Sequence, residues 1–100
     1  MTIPAEIVEL WQQHSSAAFP KGYGDKEING IDLPLLEAEI TGCIRMYMHN
    51  SAQLDAQRIR FLRERLIDLN NVVLLLDHEE FVYFDRLRKL ANLVLQEAGR

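Results

Sequence analysis

The chain predicts an all-α fold: a single-domain antiparallel four-helix bundle with a long loop between its first and second helices. Apolar residues recur at alternating spacings of three and four in four separate stretches, which is the repeat of one helix face. Two short polar connectors join the later stretches and make them antiparallel neighbours. One hundred residues suit one domain built on one core.

The first helix is expected over about 3–18. Thr2 is placed to cap it, and Pro4 stands in its first turn, where a missing amide proton costs little. Ile3, Ile7, Leu10 and His14 share one stripe, with Trp11 beside it. Glu6 and Glu9 favour the positive end of the helix dipole. Residues 20–32 hold Pro20, three glycines and the pair Asn29-Gly30, so they read as a loop. Asn29-Gly30 predicts a tight turn whose flanking Ile28 and Ile31 plug back into the core.

The second helix is expected over 33–49. Asp32 is its N-cap, Pro34 lies in its first turn, and Leu36, Ile40, Cys43 and Tyr47 form its apolar line. Gly42 interrupts this helix at a cost of about 1 kcal/mol relative to alanine, and close approach of a neighbouring helix is the expected reason. The third helix is expected over 52–76, capped by Ser51 and serving as the central mast. Its seam of Ile59, Leu62, Leu66, Leu69, Val73 and Leu76 averages 3.5 residues per step. Val72 to Leu76 is apolar on every side and demands more cover than one seam supplies. The fourth helix, over 78–98, opens on Asp77 and Glu80 in capping-box spacing and repeats Phe84, Leu87, Ala91 and Val94.

Composition bounds the function. The net charge of −4 argues against non-specific binding to nucleic acid or to anionic lipid. The single cysteine, Cys43, excludes an intramolecular disulfide and suits a reducing, cytoplasmic location. No signal peptide is read at the N-terminus, and the longest apolar run is far short of a membrane span.

No catalytic, cofactor-binding or metal-ligating residue is assigned. His14, His49 and His78 stand in different elements, without the Glu-x-x-His pairs of a di-metal bundle. Cys43 lies on an apolar line and reads as a core residue, since burial makes a thiol unreactive. Lys21-Gly22-Tyr23-Gly24 lacks the spacing of a phosphate loop. The arginines at 58, 60, 63 and 65 read as a solvated face paired with Glu37, Glu39 or other acids.

The stretch Glu27-Ile28-Asn29-Gly30-Ile31-Asp32-Leu33, with Leu36, Ala38, Gly42-Cys43, Leu54-Asp55 and Asp68-Leu69, resembles the core of a family of small bacterial proteins across about residues 20–95. The resemblance implies a bacterial, cytoplasmic source and no known activity.

The expected function is a small non-enzymatic interaction, adaptor or regulatory protein that forms a homodimer or binds a protein partner. Its candidate contact residues are Tyr23, Phe61, Val72, Leu75 and Phe81. The alternative is a small-molecule binder or enzyme with a pocket under loop 20–32, using Tyr23 or Tyr47 with Arg45 or His14. The third reading is nucleic-acid binding through the Arg58–Arg65 face.

Overall fold

The computed structural model describes residues 2–20, 22 and 26–99. These form α1 (Ala5–Ser16), β1 (Glu27–Ile28), β2 (Ile31–Asp32), α2 (Leu33–His49), α3 (Ala56–Val73) and α4 (His78–Ala98). The fold is all-α, four helices with one very small antiparallel hairpin.

The hairpin sits inside the expected loop. Asn29 and Gly30 both have positive φ, 53° and 80°, as the two-residue turn of a β-hairpin requires. Ile28 pairs with Ile31, and both pack against the core. Asp32 then caps α2, its Oδ1 accepting from the Leu35 amide at 2.9 Å.

Helix α3 is shorter at both ends than its apolar seam predicts, 56–73 rather than 52–76. Ser51 and Ala52 turn left-handed, with φ of 56° and 61°. The Ala52 amide donates to the Tyr47 carbonyl at 3.1 Å, which closes the end of α2. Ser51 is therefore spent on ending one helix, and Asp55 caps the next through the Arg58 amide at 2.8 Å. At the far end the Leu75 and Leu76 amides donate to the Val72 and Val73 carbonyls, three residues back, and this tight turn stops the helix. Leu76 returns to the core while Leu74 and Leu75 point to solvent.

Two further caps differ from expectation. Helix α1 starts on Pro4, whose carbonyl accepts from the Ile7 and Val8 amides, so Thr2 does not cap it. The Asp77 side chain makes no capping bond; its carbonyl alone receives the Glu80 and Phe81 amides, and the capping box is not formed.

Helix α4, not α3, is the central element. It packs on α3 most extensively, then on α1, then on α2, whereas α3 meets mainly α2 and α4. Phe84, Leu87, Leu90 and Val94 are fully buried along it and share one core with Leu62, Leu69 and Val72 of α3 and Leu33, Ile40 and Ile44 of α2. Gly42 is not explained by a close helix approach: a Cβ there would meet nothing within 4 Å. Among the described residues, no helix is long and apolar enough to cross a membrane.

Candidate functional site

The apolar stripe of α1 ends in a histidine. His14 is only 3% exposed, so a ring nitrogen left without a partner inside the protein is costly. Nε2 lies 3.0 Å from Oε2 of Glu37 on α2. The same oxygen accepts from the Tyr83 hydroxyl of α4 at 3.1 Å. One carboxylate oxygen thus joins three helices. A carboxylate only accepts, so Nε2 carries the shared proton. Nδ1 is buried and has no partner among the described residues.

Local sequence explains the placement. Glu37, Thr41 and Arg45 stand on successive turns of α2, at the edge of its buried face. Thr41 satisfies its hydroxyl within the helix by donating to the Glu37 carbonyl at 2.9 Å. Tyr83 is held by rings: Phe19 at 5.5 Å and Phe84 at 5.2 Å, both edge-on, with His14 at 4.7 Å.

The electrostatics follow from the geometry. Burial pushes the Glu37 carboxyl up, but hydrogen bonds from His14 and Tyr83 and the charges of His14 and Arg45 outweigh it. The net result holds Glu37 below the ordinary glutamate range, as an anion. Tyr83 moves strongly upward, first by burial and then by the neighbouring carboxylate, so its hydroxyl keeps its proton.

Beside this network opens a cleft of about 340 Å³ whose lining includes Trp11, His14, Ser15, Phe19, Glu37 and Arg45. The Arg45 guanidinium lies over the Trp11 ring, 5.7 Å from its centroid. Oε1 of Glu37 receives no hydrogen bond from the described residues, and the side chain keeps a fifth of its surface. With Nδ1 of His14 sealed from solvent, that carboxylate is the one base among the described residues that line the cleft. The arrangement is equipped to hold a ligand through charge. Among the described residues, no three His, Cys, Asp or Glu side chains converge on a metal position.

The residues singled out from sequence are scattered. Tyr23 lies outside the described residues. Val72 is completely buried in the core and offers no surface to a partner. Phe81 is half-buried against the core. Phe61 lines a separate cleft of about 380 Å³ between α2 and α3, with Gly42, Cys43 and Arg58. Leu75 is exposed. Tyr47 is fully buried and does not line the polar cleft, whereas Arg45 and His14 do. Burial pushes the Cys43 thiol up, as befits a core cysteine.

Of the arginines, Arg58 pairs with Asp55, and Arg65 with Asp68 at 3.2 Å and Glu39 at 3.7 Å. Glu37 is not among their partners, because it faces α1 and α4 instead. The signal for its true role was present in the sequence: a histidine in line with Ile3, Ile7 and Leu10 needs a buried acceptor.

The chain matches no protein-family model, no curated protein and no solved structure, so the reading of the site rests on its own geometry.

Proposed function

We propose that this protein is a small non-enzymatic interaction protein, a regulator or adaptor, that associates with a second copy of itself through the corner between α3 and α4. The observation that carries this reading is the pair Leu74 and Leu75, 81% and 56% exposed in the turn joining the two helices. Turns favour glycine, proline and small polar residues, and nothing in the fold requires leucine at either position. Ile67, seven residues before Leu74 on the outer side of α3, and Val82 in α4 are exposed as well. Exposed apolar surface of this kind favours burial against a partner. A two-fold arrangement covers the same corner on both copies at once. The lone buried cysteine and the acidic balance support a cytoplasmic setting.

Light scattering over a dilution series tests the proposal. The expected mass at high concentration is twice the 11.6 kDa of the chain. Leu74→Glu with Leu75→Glu is expected to give a monomer of unchanged helix content. A wild-type chain that is monomeric at every concentration rejects the reading.

A further inference from the structure

Two opposite charges face the cleft between α1 and α2 without satisfying each other. Glu37 lines the cleft; its Oε2 is held by His14 and Tyr83, and its Oε1 has no donor among the described residues. Arg45 stands two turns further along the same helix, roughly 12 Å away at the Cα positions by the helical rise. Its guanidinium makes no ion pair among the described residues and lies on the Trp11 ring instead. The two side chains are close enough for Arg45 to act on the Glu37 carboxyl through charge. The cleft between them holds about 340 Å³, at the small end of ligand cavities, which run from roughly 300 to 1,000 Å³.

We infer that this cleft is a binding site for a small zwitterion of the amino-acid class, its ammonium on Oε1 of Glu37 and its carboxylate on the Arg45 guanidinium, with Trp11 as the wall. The charge arrangement sets the class. A simple amine meets the carboxylate but is repelled by Arg45, and a simple acid meets Arg45 but is repelled by Glu37. A molecule with both charges satisfies both and leaves neither unpaired. The guanidinium fork suits a planar carboxylate. The buried side of the site is rigid, because Glu37 is fixed by donors from two other helices and cannot swing across to Arg45 without breaking both bonds. This inference does not depend on self-association.

Trp11 is the only tryptophan of the chain, so its fluorescence reports on the cleft directly. The free L-amino acids are titrated one at a time, each to about 10 mM, the range of weak small-ligand binding. Ethylamine and acetate serve as single-charge probes. At least one amino acid is expected to shift the Trp11 emission saturably with one site per chain, while ethylamine and acetate do not. Arg45→Gln, at an exposed position, is expected to keep the fold and weaken binding by about tenfold or more, the loss of one charge-assisted contact. Glu37→Gln is expected to do the same, with circular dichroism checking that α1 stays docked. The inference is overturned if no amino acid gives a saturable shift, if acetate or ethylamine alone binds equally well, or if Arg45→Gln binds as the wild type does.

Discussion

At Glu37 a single oxygen takes hydrogen bonds from two helices, and the stability of the fold becomes tied to the charge on that residue. The folded carboxyl sits below its unfolded value, so the folded state binds fewer protons where the two differ. The stabilisation is complete above the unfolded value of about 4.3 and is lost as pH falls through the folded one. The urea midpoint is therefore expected to fall as pH drops below that range. Tyr83→Phe removes one bond to the anion and is expected to cost about 1.5–3 kcal/mol at neutral pH. Its deficit should shrink in acid, once Glu37 is neutral in both proteins; a deficit constant with pH counts against the network. The network was half legible in the sequence. His14 on an apolar stripe announced a buried polar group, but which acid receives it depends on how α1 lies across α2 and α4. Helical periodicity says nothing of that crossing.

At the scale of elements, Gly42 presents a helix with a missing side chain and no intramolecular reason for it. A Cβ there would meet nothing within 4 Å. Gly42→Ala is expected to raise the stability of the isolated chain by about 1 kcal/mol, read from the denaturant midpoint. A fall instead would mean that the side chains around Gly42 within the chain leave no room for a methyl group. The four helices were readable because their apolar repeats are unambiguous, and Asn29-Gly30 specifies its own turn; the two short strands beside that turn, Glu27–Ile28 and Ile31–Asp32, lay within what reads as a loop. The ends were less so. The seam from Ile59 to Leu76 is continuous in sequence, yet the helix stops at Val73 and leaves its last member, Leu76, outside. Leu76 stays in the core after α3 has ended because the tight turn carries it back inward. Apolar spacing records which residues are buried and not whether the backbone between them is helical. Likewise Asp55 outcompetes Ser51 as the cap because the left-handed step at Ser51 and Ala52 is needed to reverse the chain.

At the scale of the molecule, the central place belongs to α4, the longest helix and the one that packs extensively on α3, on α1 and on α2. Spacing alone favoured α3, whose seam is the more regular; centrality is a property of topology, since the N-terminal helix returns to pack on the C-terminal one. That return has a kinetic meaning. The α2–α3 and α3–α4 pairs are joined by connectors of a few residues, so their contacts close short loops. Helix α1 finds its main partner across most of the chain, and its docking must bear the larger loop-closure entropy. The His14–Glu37 bond is then expected to be the clasp that shuts last, after α2, α3 and α4 have assembled. Native-state hydrogen exchange should show the α1 amides opening together at a lower free energy than those of α3 and α4, in a unit that leaves the other three helices protected. Equal protection in α1 and α4 would show instead that the first helix folds with the rest. If the first helix lifts while the others hold, a ligand seated on Glu37 and Arg45 of α2 and walled by Trp11 of α1 would fasten that helix beside His14.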